Sequence, residues 1–327
     1  MIREHPLRIG VLGTARVVAY GLLLPARQTP GVEVVAVGSR SRENAQAFAA
    51  LHGLPRAFGS YDALCNAADV DAVYIALPTA LHATWVRRAL AAGKHVLCEK
   101  PLASNAIEAA DLVRCAQQHG RVLLEGLHIR YLRRLERQRE IVASGVLGPL
   151  RRIESCFRLP RVPMAAGDFR LQFEMGGGAG LDLGCYAVSC LRYVSGEEPV
   201  VTNVRHRTAS PRVDRWMQAS LRLPSGAAGV AECGFRGWYW PRMGVTVACE
   251  RGSVTWSKDG IHLKQGGRVT AEALPPDWTY QRQIHAFARR CRGEASDAVL
   301  PEDSLATATV LDAMYDRSGL GIRGTRA

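Results

Sequence analysis

Along the first 126 residues, short apolar runs alternate with stretches whose apolar positions recur at helical spacing. Residues 7–12, 33–38, 71–77, 95–98 and 121–125 have the length and apolar content of buried strands, and the stretch after residue 18 to about 27, residues 80–92 and residues 105–119 read as helices. Strands separated by helices of ten to fifteen residues specify a doubly wound parallel sheet with right-handed crossovers. After another helical stretch, residues 130–143, the pattern changes at Gly145-Val146-Leu147-Gly148-Pro149. Beyond it, residues 150–157, 200–207, 216–223, 228–235, 244–248, 253–256 and 260–264 show two-residue alternation or strand composition. Helical segments over 180–194, 280–292 and 302–318 accompany them, the makeup of an α+β domain on a largely antiparallel open sheet. The expected architecture is an N-terminal Rossmann domain over residues 1–126, followed by an α+β substrate-binding and oligomerisation domain over residues 127–327.

Composition narrows the function classes. At 327 residues the chain can bury two cores, and its 47% hydrophobic and 22% charged residues are those of a globular protein. No apolar run reaches the roughly 18 residues needed to span a bilayer, and residues 1–6 lack the apolar stretch of a secretory signal. A cytoplasmic protein without a membrane partner is expected. The net charge is +12, but the basic residues are spread along the chain instead of forming one stripe, which argues against a nucleic-acid partner and for a phosphate-bearing small ligand. Nine cysteines occur with no CxxC pair and no Cys/His cluster at zinc spacing, so buried free thiols and no metal site are expected.

Three stretches carry candidate chemistry. The first strand runs into Gly13-Thr14-Ala15-Arg16, a small-residue turn opening a helix, where backbone can approach a pyrophosphate and free N–H groups can receive it. Ala15 and Val18 stand where the dinucleotide fingerprint has its second and third glycines. The second strand ends in Ser39-Arg40-Ser41-Arg42, with no acid for an adenosine ribose; a hydroxyl and guanidinium groups suit a 2′-phosphate, so NADP(H) is the expected cofactor. A later strand delivers Glu99-Lys100-Pro101 to its carboxyl end, the edge at which parallel sheets collect ligands.

These motifs, with Leu77-Pro78-Thr79-Ala80-Leu81-His82 and Gly176-Gly177-Gly178-Ala179-Gly180-Leu181-Asp182-Leu183-Gly184-Cys185-Tyr186, closely resemble the Gfo/Idh/MocA oxidoreductases over nearly the whole chain. The resemblance implies that Lys100 is the catalytic lysine, Tyr186 the proton donor and Asp182 its acidic companion. It implies cofactor contacts from Gly13, Thr14, Ala15, Arg16, Ser39, Arg40, Leu77, Pro78, His82, Glu99 and Lys100, His82 more as a loop-ordering residue than as a catalyst. Asp182 and Tyr186, four apart, would share one helix face. A tyrosine beside a lysine ammonium can have its pKa drawn down toward neutrality, as proton transfer coupled to hydride transfer requires. Tyr186 stands where many members carry histidine, a form that resembles the glucose-fructose oxidoreductase and dihydrodiol dehydrogenase branch. Glu125 to Tyr131 resembles the family's domain junction, where His128 could touch ligand; His95, inside an apolar strand, reads as structural.

The implied function is NADP(H)-dependent hydride transfer at a hydroxyl or carbonyl carbon of a sugar or related polyol. A ketoreductase for a nucleotide-linked deoxysugar and a non-catalytic NADP-binding regulator are the alternatives. A homodimer or homotetramer is implied, with Trp216, Trp238, Trp240 and Trp256 as candidate contacts on the uncovered face of the second sheet.

Overall fold

The computed structural model describes all residues except 1–4, 161–163, 165–166, 236–240 and 325–327. The chain divides into two compact units: residues 1–128 with 278–305, and residues 129–277 with 306–327.

The first unit runs β1 (Leu7–Leu12), α1 (Leu24–Arg27), β2 (Val32–Gly38), α2 (Arg42–His52), β3 (Arg56–Phe58), α3 (Tyr61–Cys65), β4 (Ala72–Ile75), α4 (His82–Ala91), β5 (His95–Glu99), α5 (Ala106–Gln118) and β6 (Leu123–Gly126). The six strands are parallel in the order β3-β2-β1-β4-β5-β6, so the direction of winding reverses between β1 and β4. Their alternation sorts side chains to two covered faces. Ile9, Val11, Val37, Tyr74, Leu97 and Leu124 pack with Val18, Leu22 and Ala49, whereas Gly10 faces Leu64 of α3 on the other side. Ser41, Ser60 and Asn105 cap α2, α3 and α5 by accepting the N–H of Asn44, Ala63 and Glu108 at 3.1, 3.1 and 2.8 Å. The helix expected after the Gly13 turn opens instead on a wide π-helical turn, Ala19–Leu23, directly after the fully buried Val18.

The second unit holds α6 (Arg133–Ala143), β7 (Leu150–Arg158), α7 (Ala179–Asp182), α8 (Gly184–Ser195), β8 (Val200–Ser210), β9 (Val213–Arg222), β10 (Ala228–Gly234), β11 (Arg242–Cys249), β12 (Gly252–Trp256), β13 (Gly260–Gln265) and β14 (Arg268–Ala273). Its eight-stranded sheet, β14-β13-β12-β11-β7-β10-β9-β8, is antiparallel except for the β7–β10 pair. Helices α6 and α8 cover one face. Edge strand β14 escaped the pattern reading because nearly every position in it is exposed, leaving no apolar alternation to detect. The chain returns to the first unit with α9 (Thr279–Cys291), whose Ile284, Phe287 and Ala288 join the core around Ile9 and Tyr74. Helix α10 (Pro301–Ser318) follows, its residues from 306 onward in the second unit.

Two expectations are corrected. The helical segment over 180–194 is interrupted: Leu183, at φ −119° and ψ −28°, separates α7 from α8, so Asp182 ends one helix and Tyr186 lies in the first turn of the next. Trp256 is not on the uncovered sheet face. It shares strand parity with the buried Val254, donates from Nε1 to Gln138 Oε1 of α6 at 2.5 Å, and lies edge-on to Phe157. Trp216, on the opposite parity to Met217 and Ala219, does face the uncovered side, while Trp238 and Trp240 lie outside the described residues.

Candidate active site

In the first unit, the loops at the carboxyl ends of β1, β2, β4 and β5 carry the residues singled out above. Gly13 sits at φ +99°, and a Cβ there would come within 2.6 Å of the Ala76 carbonyl oxygen, so the turn after β1 admits only glycine. Thr14, Ala15 and Arg16 are exposed beyond it. At the end of β2, Ser39 is buried, donating its N–H to Phe58 O at 3.0 Å, and Arg40 is exposed. Burial raises the pKa of the neighbouring Tyr61 phenol, with the Arg40 guanidinium pulling the other way. The first acid after β2, Glu43, receives the Ser41 hydroxyl at 2.7 Å within the opening turn of α2.

The loops after β4 and β5 are tied together by His82. Its ring is fully buried, with Nε2 2.8 Å from Leu77 O and Nδ1 2.8 Å from Pro101 O. Burial lowers its pKa, so the ring is neutral at pH 7 and donates to one of these carbonyls. Lys100 precedes Pro101 across a cis peptide bond. Two buried acids lie at the same strand ends. Glu99 accepts the Tyr74 hydroxyl on Oε1, and Glu125 accepts the Leu102 N–H on Oε1 at 3.0 Å. Burial pushes the Glu125 carboxyl up to about 7, against the opposing pull of the Ser304 hydroxyl, the Leu102 N–H and the Lys100 ammonium. His128 is stacked on Tyr280 at 4.1 Å with Nδ1 3.0 Å from Thr279 Oγ1, and burial, then Lys100, lowers its pKa to about 4. Its neutral ring is held by these neighbours. His95 accepts the Val122 N–H on Nδ1 at 3.0 Å, a structural role.

In the second unit, Asp182 and Tyr186 are half-buried on either side of Leu183. Asp182 Oδ2 receives Arg170 Nε at 3.2 Å, and the Tyr186 ring lies 5.6 Å from that of Phe157, which β7 places on the helix-covered face. Sequence reasoning missed both neighbours. Arg170 stands in an irregular segment with no periodic signal, and Phe157 reads as an ordinary strand residue. Among the described residues, no group of three His, Cys, Asp or Glu side chains could hold a metal ion, and none of the nine cysteines is in a disulfide. No helix among them is long and apolar enough to cross a membrane.

A 3-2-1-4-5-6 parallel sheet with a glycine turn after β1 and a lysine at the end of β5 defines a dinucleotide-binding oxidoreductase architecture. Residues 7–127 match the oxidoreductase family with an NAD-binding Rossmann fold, and residues 135–255 the GFO/IDH/MocA C-terminal domain. The chain belongs to the Gfo/Idh/MocA oxidoreductase family. It is 35% identical over 323 residues to D-xylose 1-dehydrogenase (NADP(+)) 2 of Haloferax volcanii, covering 96% of this chain and 98% of that one. With dTDP-3,4-didehydro-2,6-dideoxy-alpha-D-glucose 3-reductase of Saccharopolyspora spinosa the identity is 34%, covering 88% and 89%. Among solved structures, a 3-ketoreductase from Actinomadura kijaniata in complex with NADP and TDP-benzene superposes with a TM-score of 0.88 at 29% identity, covering 98% and 99%.

Proposed function

We propose that this protein is an NADP(H)-dependent oxidoreductase that moves a hydride between the nicotinamide and a hydroxyl or carbonyl carbon of a sugar or related polyol. The observation that carries the cofactor choice is the end of β2, where Ser39 and Arg40 stand with no carboxylate before Glu43. The residues present fit the cofactor: Gly13 lets the turn after β1 pass close against the Ala76 carbonyl, and Thr14, Ala15 and Arg16 are open beyond it. Leu77, Pro78, Glu99 and Lys100 complete the proposed contacts, the fully buried His82 ordering the loops that carry them, on the unit of residues 1–128 with 278–305, while residues 129–277 with 306–327 serve substrate binding and assembly. When bound, NADP(H) supplies or accepts the hydride.

The chain's own groups manage the oxygen. Lys100 donates a charged hydrogen bond to the reacting oxygen and favours the ionised form of the phenol that exchanges a proton with it. Tyr186 is that phenol, acting as general acid in reduction and general base in oxidation. Asp182, already engaged by Arg170, holds the local charge pattern around Tyr186. Work on a diffusing nicotinamide cofactor suits the cytoplasm, and a homodimer or homotetramer built on the uncovered sheet face is the proposed assembly.

A second reading, reduction of a keto group on a nucleotide-linked deoxysugar, is favoured by the similarity to the 3-reductases and to the enzyme crystallised with TDP-benzene. One panel tests both: NADP+ reduction with free aldoses including D-xylose, and NADPH oxidation with keto-sugars, free and TDP-linked. Turnover of free sugars supports the first reading, and turnover confined to TDP-linked substrates supports the second. No turnover with any of them, together with tight NADP(H) binding, overturns both in favour of a cofactor-binding regulator.

A further inference from the structure

The glycine run before Asp182 packs against a buried polar cluster that has no local signature in the sequence. Asp214, in β9, and Arg323, beyond α10, form an ion pair at 3.3 Å with both side chains wholly inaccessible. The Arg323 guanidinium donates to Asp214 Oδ1 and to three carbonyls, Gly177 O at 3.2 Å, Arg212 O at 2.7 Å and Gly321 O at 2.7 Å. It also lies over the rings of Tyr315, at 3.8 Å, and Phe173, at 4.8 Å. Asp214 accepts the Gly180 N–H on Oδ2 at 2.6 Å and the Tyr315 hydroxyl on Oδ1 at 2.9 Å, and the Tyr315 oxygen accepts the Leu181 N–H at 3.0 Å.

The first N–H groups of a helix have no partner within it, and Gly178, the residue before α7, has no side chain to offer. Those of Gly180 and Leu181 are received by Asp214 and Tyr315, residues 34 and 134 positions away in sequence. This arrangement also accounts for the glycines. A Cβ on Gly178 would lie 2.3 Å from Asp214 Oδ1, and one on Gly180 would lie 2.4 Å from the Tyr315 oxygen. The close approach is to the protein's own buried ion pair. Such a pair is a poor source of stability against an apolar replacement, because the desolvation of both charges offsets their attraction, and fixing one geometry is the use left to it. The geometry fixed here is the start of α7, which ends three residues later at Asp182 and hands the chain to the first turn of α8 and Tyr186. The far side of the same segment is held too, since Arg170 reaches Asp182 while its carbonyl accepts the Gly178 N–H at 2.9 Å.

We propose that Asp214, with Tyr315 and Arg323, is a positioning group for Asp182 and Tyr186, setting where the tyrosine hydroxyl meets the substrate oxygen. The proposal rests on the catalytic assignment of Tyr186 made above. The test is a cycle of Asp214→Asn, Tyr186→Phe and the double variant, read as kcat, KM and NADPH affinity with the sugar of the panel that is turned over fastest. Asp214→Asn should lower kcat by about 10- to 100-fold, the cost of a misplaced reacting group, while NADPH affinity is unchanged. In the Tyr186→Phe background the same substitution should cost less than about threefold, because residues acting as a unit do not add. Tyr315→Phe, which removes only the hydroxyl, should show the same coupling at smaller amplitude and serves where Asp214→Asn does not fold. A readout without substrate is amide exchange of residues 178–186, which should quicken in both variants while that of β1 to β6 does not. An equal kcat loss in both backgrounds, or wild-type kcat in both Asp214→Asn and Tyr315→Phe, overturns the positioning role. Near-wild-type turnover in Tyr186→Phe alone instead overturns the catalytic assignment, and the positioning role with it.

Discussion

Arg40 and Glu125 are the residues whose charges have the clearest measurable consequences. An exposed guanidinium at the end of β2, with a buried serine beside it and no carboxylate, favours a 2′-phosphate by hydrogen-bonded charge complementarity. NADP(H) should therefore bind at least about tenfold more tightly than NAD(H), a difference of about 1.4 kcal/mol, and Arg40→Ala should erase most of that gap. Fluorescence titration of both cofactors against both proteins measures it, and equal affinities in the wild type would reject the assignment. Glu125 acts through stability. Its carboxyl sits at about 7 when folded against an ordinary 4.5, so between those values the folded state holds more protons than the unfolded chain. Its contribution is fully present below pH 4.5, falls as pH rises, and above 7 leaves a penalty of about 3 kcal/mol. Urea unfolding at pH 5 and pH 8 should show Glu125→Gln gaining on the wild type as pH rises; parallel pH dependences would place the proton elsewhere.

At the scale of elements, the loops are what the strands exist to present. The loops after β4 and β5 are joined by one fully buried imidazole, with a ring nitrogen 2.8 Å from the backbone oxygen of each. His82→Ala would strand one buried carbonyl oxygen and leave a void, at a cost of about 1–3 kcal/mol for the lost hydrogen bond. The expected result is a lower urea midpoint at unchanged slope, together with reduced turnover from a displaced Lys100 loop. Full stability would show that backbone packing alone holds the loops. The break at Leu183 belongs to this scale as well, because it ends the continuous helical ladder that four-residue spacing assumes between Asp182 and Tyr186.

For the whole molecule, the proposed assembly rests on the second sheet. Helices α6 and α8 cover one face, and the other presents Trp216 with its indole N–H on Glu232 Oε1 at 2.8 Å, beside Arg158, which reaches the same oxygen at 3.0 Å. An antiparallel sheet can leave such a face to water or pair it with a copy of itself about a two-fold axis. Light scattering at micromolar concentration should give a dimer or tetramer mass, reduced by Glu232→Arg, which sets like charges together; a monomer mass in the wild type would contradict the assembly.

What the sequence determined by itself was whatever rests on local pattern. The alternation of strands and helices, the Gly13 turn, the absence of an acid after β2 and the delivery of Lys100 to a strand end all follow from residues within a few positions of one another, where periodicity and backbone sterics act. Strand parity with Val254, itself a local feature, turns Trp256 toward α6. Tertiary structure alone decided the rest. Asp214 and Arg323 meet across 109 positions, Arg170 finds Asp182 from an irregular segment, and the core-facing residues of α9 join the first unit after the second has been crossed. Such pairings depend on which distant groups are desolvated together, and the energy of a buried charge or carboxyl is set by neighbours that no local spacing specifies.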